Sequence, residues 1–142
     1  MLARHNVRRR ARVRSRFGAT TVEFALTVPI FFAITMAIFE FGWMNVIRHT
    51  ADNAAYEATR LAIVPGASRN DAIAEANRIL SIVGTRGATI QVSPQVLTEN
   101  TNEITVTIDV PAAQNGIIFS TFFSSTTFRS SSKMLTERPR RN

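Results

Sequence analysis

Residues Phe17–Trp43, FGATTVEFALTVPIFFAITMAIFEFGW, decide how the rest of the chain is read. No charged residue occurs from Phe24 to Phe39, and only Glu40 interrupts the apolar run Phe24–Trp43. A helix rises about 1.5 Å per residue, so the run covers about 30 Å, the thickness of a bilayer's hydrocarbon core. Thr27 and Thr35 do not spoil such a helix, because a hydroxyl can bond back to the helix's own carbonyl. Pro29 is tolerable early in a membrane helix. A soluble domain of this size could hardly wrap so long an apolar helix on all sides.

The flanks orient the run. Upstream lie Arg4, Arg8, Arg9, Arg10, Arg12, Arg14 and Arg16 with no acid among them, and downstream both signs are mixed. The bias of cytoplasmic flanks toward Arg and Lys puts the N-terminus in the cytoplasm and the C-terminal part outside. Trp43 stands where an interfacial aromatic would mark the outer end. The expected organisation is a basic leader at 1–18, a transmembrane helix at 19–43 and an extracytoplasmic domain at 44–142. The expected location is the inner (cytoplasmic) membrane, with lipid as a partner.

Charge and composition exclude several classes. The net charge of +7 invites a nucleic-acid reading, but the leader arginines account for all of it. Residues 19–142 are formally neutral, so no nucleic-acid partner is expected. The leader reads instead as a topology signal facing the anionic cytoplasmic leaflet. A mitochondrial transit peptide would be amphipathic and would not run at once into a span, and no A-x-A site follows for ordinary secretory cleavage. The chain has no cysteine, which rules out disulfides and makes zinc or thiol chemistry improbable.

Glu23 is a carboxylate at the inner edge of the apolar run, where charge is expensive and rarely idle. The segment RFGATTVEFALTVPIFF resembles the class III signal of type IV pilins and pseudopilins. That signal is cut by a prepilin peptidase after a glycine, and a glutamate stands fifth in the mature chain; Gly18 and Glu23 have that spacing. With NAAYEATRLA further on, the stretch from about Arg16 to Ala62 resembles the TadE-like proteins, minor pseudopilins of tight-adherence (Flp) pilus assembly. Gly18, Glu23, Phe24, Ala25, Pro29, Glu40, Gly42, Ala54, Ala55, Glu57 and Arg60 fall where the family pattern places them. Phe24 stands where the major Flp pilins carry tyrosine, which implies a minor component. Thr59 stands where the family usually has a small residue. The resemblance implies cleavage between Gly18 and Ala19, and a processing and assembly motif at Glu23 and Phe24. It also implies a prepilin peptidase, other pilins or pseudopilins and the pilus assembly membrane platform as partners.

The residues around the cut have their own chemistry. Gly18 fits a narrow subsite and allows an extended backbone there. Cleavage would free an α-amino group at Ala19, and Glu23 could pair with it in one chain or between neighbours. Glu23 also suits a helix N-terminus simply as an acid favoured by the macrodipole. Glu40, with Gly42 beside it, admits two readings: it reaches water at the outer interface, or it makes an intramembrane or interhelical contact.

Further along, the fold class expected is α+β: a long N-terminal helix, a short second helix and a small antiparallel sheet of about three strands. Met1–Arg16 reads as disordered, because like charges repel and nothing apolar is periodic. Past Trp43 the helix turns amphipathic, with Val46, Ile47, Ala51, Ala54, Ala55, Ala58, Leu61 and Ala62 on one stripe. Pro65-Gly66 stops it. The small alanines suit packing on the chain's own sheet, and also helix–helix contact in an assembly. Ser68 or Asn70 caps a second helix over Arg69–Val83, and Gly84 ends it. Ala88–Ser93 and Glu103–Val110 alternate as strands, with Ile90 and Val92, then Ile104, Val106, Ile108 and Val110, facing in. The polar link Thr98–Asn102 suggests a hairpin, and Asn115-Gly116 marks a turn. Ile117–Phe123 fits a helical turn or a strand, and Thr126–Leu135 reads as a third strand.

No catalytic constellation appears. His5 lies in the leader, His49 stands alone just outside the membrane, and the serines of Ser120–Ser132 lack a histidine partner. Gly84-Thr85-Arg86-Gly87 reads as a turn, not a phosphate cradle. The chain is expected to be no enzyme, to need no cofactor, and to be the substrate of a peptidase. The rival reading is an uncleaved, membrane-anchored binding or structural module unrelated to pili.

Overall fold

The computed structural model describes residues 5–98, 101–118 and 125–136, with side chains from Gly18 onward. The chain divides into two compact units, Met1–Phe39 and Glu40–Asn142. The element order is α1 (His5–Ala62), α2 (Arg69–Ile82), β1 (Thr89–Ser93), β2 (Glu103–Pro111), a 3-10 turn (Ala112–Gln114) and β3 (Thr127–Leu135). This is the α+β arrangement expected: a long first helix, a short second one and a three-stranded antiparallel sheet in the order β1-β2-β3.

α1 starts at His5, so the leader residues expected to be disordered are helical from there. Arginine and alanine are both strong helix formers, and local propensity outweighs the repulsion between like charges. The helix continues through Pro29. In the first unit, the Thr27 and Thr35 hydroxyls donate to the carbonyls of Glu23 and Phe31, each at 2.8 Å. Phe24, Leu26, Ile30, Phe31, Phe32, Ile34, Ile38 and Phe39 are all exposed. The Gly18–Ala62 part of α1 is long and apolar enough to cross a membrane, and none of its most apolar stretch is buried. Apolar side chains on every side of a helix ask for an apolar solvent.

The second unit has a core of its own. Ile47, Ala51, Ala54, Ala55, Ala58 and Ala62 of α1 are buried with Ala72, Ala76, Ile79 and Leu80 of α2 and with the inward side chains of the sheet. The alanines thus serve packing within this unit. Val46 and Leu61, assigned to the same stripe from sequence, are instead exposed. They lie at the edges of an inward face that is narrower than periodicity implied. Val64 precedes a proline, and Gly66 takes φ +88°, so the helix cannot continue.

α2 is closed at both ends. Ser68 is its N-cap: the Asp71 amide donates to the Ser68 hydroxyl, and the Ser68 amide donates to the Asp71 carboxylate at 2.8 Å. This reciprocal box satisfies two amides that a helix start leaves open. At the other end Gly84 (φ +67°) donates to Ser81 O and Thr85 to Leu80 O, a Schellman closure that ends the helix at Ile82, one residue before the expected Val83.

In the sheet, β2 alternates as expected: Ile104, Val106, Ile108 and Val110 are buried, and Thr105, Thr107 and Asp109 are half-buried. β1 pairs Ile90 with Ile108 and Val92 with Val106. Val92 is buried but Ile90 only partly so. β3 pairs Phe128, Ser130, Ser132 and Met134 with Val110, Ile108, Val106 and Ile104, so two serines share the inward face. The strands begin one residue later than expected, at Thr89 and Thr127. Residues 117–118 are described as coil that is neither helix nor strand, and the question posed by Phe119–Phe123 lies outside the described residues.

Candidate functional site: a carboxylate and an amide side chain hold the 112–118 turn

The second unit begins at Glu40, and the residue is 1% exposed. Its carboxylate accepts the Ile117 amide at 3.1 and 3.2 Å and the Ile118 amide at 2.9 Å. Two successive backbone N–H groups aimed at one anion form a nest, a geometry that holds negative charge well. Within this chain Glu40 is buried, and its partner is the backbone at 117–118. Gly42 is exposed, with open space where a Cβ would stand.

Trp43, one turn on, donates its indole N–H to the Asn115 carbonyl at 2.9 Å. Asn115 is itself 7% exposed. Its side-chain oxygen accepts the Arg86 amide at 2.8 Å, and its NH2 donates to the carbonyls of Arg86 and Pro111 at 2.9 and 2.8 Å. Sequence reading took Asn115 for a turn residue only. The structure shows it binding three separate parts of the chain: α1 through Trp43, the 84–87 turn through Arg86, and the end of β2 through Pro111. Pro111 is four residues away, but Arg86 and Trp43 are 29 and 72 residues away, and no local signal marks those two contacts.

The remaining polar contacts join α1 to β3. Ser130 donates to the Asp52 carboxylate at 2.6 Å. The Thr59 hydroxyl donates to Ala55 O at 2.6 Å and meets Ser132 O at 3.3 Å. Thr59, the departure from the family's small residue, thus gains a hydrogen-bond partner on the sheet. His49 lies 4.0 Å from the other Asp52 oxygen. So Ser130 does have a histidine nearby in space, but the carboxylate stands between them. A nucleophilic serine needs the histidine in the middle, accepting its proton, and this order does not provide it. Among the described residues no cluster of three or more His, Asp or Glu could hold a metal ion. An open groove of about 430 Å³ runs between α1 at Val46 and His49 and α2 at Ile79 and Ile82.

Among the described residues, Arg60–Glu57, Arg78–Glu75, Arg129–Asp109 and Lys133–Glu103 form ion pairs in this unit. Arg129 pairs with Asp109 at 2.7 Å across β2 and β3, and Arg78 with Glu75 at 2.6 Å along α2. The hydrogen bond from each arginine holds its carboxylate below the ordinary range. Asp71 is lowered first by the Ser68 amide and then by the Ser68 hydroxyl.

The residues of the expected processing motif lie in the first unit. Gly18, Ala19 and Glu23 are exposed, Phe24 is 69% exposed, and all four are helical. Gly18 and Ala19 therefore do not form the extended segment that a peptidase subsite would take. No curated protein and no solved structure matches the chain. Residues 18–60 match the family described as TadE-like protein, and the match begins at Gly18.

Proposed function

We propose that this protein is a TadE-like minor pseudopilin: a single-span inner-membrane protein that acts in assembly of, or secretion by, a tight-adherence (Flp) pilus. In this reading a prepilin peptidase cuts between Gly18 and Ala19. The N-terminus stays cytoplasmic, and the domain after Trp43 works outside with other pilins or pseudopilins and the assembly platform. The protein performs no catalysis of its own. The observation that carries the reading is the TadE-like match over 18–60, which starts at the glycine of the cut and runs along a helix whose most apolar stretch is not buried.

The helical state of Gly18 adds a step. The bond must leave the helix before it enters a peptidase, and glycine lowers the cost of that opening by about 1 kcal/mol relative to alanine. Once cut, Ala19 carries a positive α-amino group at the helix N-terminus, where the macrodipole disfavours it, and the Glu23 carboxylate one turn on offsets that charge and is itself favoured by the macrodipole.

Co-expression with a prepilin peptidase tests the proposal. The wild-type chain should lose the mass of residues 1–18, with Ala19 as its new N-terminus by sequencing, and Gly18→Asp should stay full length. A wild-type chain that keeps its leader would support the uncleaved membrane-anchored module instead.

A further inference from the structure

The 112–118 turn ends in two large apolar side chains that the core does not use. Ile117 is 63% exposed and Ile118 45%. Their amides, however, are already satisfied by the Glu40 carboxylate. This combination matters because backbone can approach lipid only where its polar groups have partners within the protein. The holding residue also fixes the place. Glu40 follows Phe39, the last residue of the uncharged apolar run, and the next residue, Phe41, is 65% exposed. From Val110 to Phe128 the sequence has no charged residue, whereas Asp109 and Arg129 on either side are charged and paired.

We propose that Ile117 and Ile118 enter the outer edge of the bilayer, forming a second, non-helical lipid contact where the span ends. The occupant is lipid at the boundary between headgroups and acyl chains. Phe41, exposed beside Glu40 in the same unit, belongs to this contact, and the inference rests on the reading of α1 as a membrane span. Glu40 is then a positioning residue: it holds the two isoleucines beside the residue that follows the apolar run and removes two amides from competition for water. Trp43 and Asn115 hold the same turn through further hydrogen bonds.

The chain's lack of cysteine gives a direct test. Single cysteines at Ile117, Ile118, Phe32 and Asn77 in the full-length protein are labelled with a fluorophore. The protein is then placed in phosphatidylcholine–phosphatidylglycerol vesicles brominated either near the headgroup or near the bilayer centre. Labels at 117 and 118 should lose emission with shallow bromine more than with deep bromine. The label at 32 should lose it with deep bromine, and the label at 77, on the exposed side of α2, with neither. Quenching at 32 with 117 and 118 behaving like 77 overturns this inference and leaves the span intact. Labels at 117 and 118 shielded from iodide yet blind to bromine mean that a second copy covers the turn, which overturns it equally. Failure of quenching at 32 overturns the span and this inference together.

Discussion

Glu40 and Asn115 show how much a single side chain can hold in a small domain. Charge-assisted hydrogen bonds contribute about 1.5–3 kcal/mol each, so Glu40→Ala should lower the unfolding free energy in detergent by roughly 3 kcal/mol. Glu40→Gln keeps one acceptor oxygen and should cost visibly less. Equal loss in both variants would show that the carboxylate is not what holds the turn. Asn115→Asp is nearly isosteric but cannot donate to the Arg86 and Pro111 carbonyls; it should destabilise by about 2 kcal/mol or more. Asp71, Glu75 and Asp109 all have folded pKa values below their unfolded ones. Each therefore contributes stability that is full above the unfolded value, near pH 4, and is lost as pH falls through the lower folded value. Denaturation midpoints should be flat from neutral pH to about pH 5 and decline below about pH 4. The slope should be shallow, since these groups face solvent, and Asp71→Asn should make it shallower still.

Among the elements, α2 and β3 were legible to different degrees. α2 was readable almost to the residue, because Ser68, Asp71 and Gly84 act on backbone within a turn of themselves. Ser68→Ala should cost about 1 kcal/mol by removing the cap, measurable in a denaturant titration. β3 was readable as a strand, but not for its inward serines. Ser130 and Ser132 face in because α1 brings Asp52 and Thr59 against that edge of the sheet, and the sequence of β3 has no sign of it. The alanines of α1 are small because the core closes on them. Ala55 and Ala58 are at most 1% exposed, so Ala58→Leu should overpack the unit and cost about 1–3 kcal/mol. If that variant folds with unchanged stability, the alanines serve some contact other than this core.

For the whole molecule, the arginine flank sets the expected topology. Replacing Arg8, Arg9, Arg10, Arg12, Arg14 and Arg16 by glutamine should release the orientation. A reporter fused to the C-terminus, active only outside the cytoplasm, should then lose most of its signal; an unchanged signal would show that something other than the leader's charge orients the chain. What the sequence by itself determined is whatever depends on near neighbours or on solvent: the apolar run, the helix caps, the alternation of β2, the α+β class and the TadE-like pattern at 18–60. Propensity corrected one such reading, since the leader is helical from His5. Only the tertiary structure decided where Glu40, Trp43, Asn115, Asp52 and Thr59 direct their polar groups. The physical reason is range: a cap or a strand face is set by residues a few positions away, whereas Glu40 meets amides 77 and 78 residues further along the chain. A buried carboxylate announces that it needs a partner, but only the folded chain supplies one.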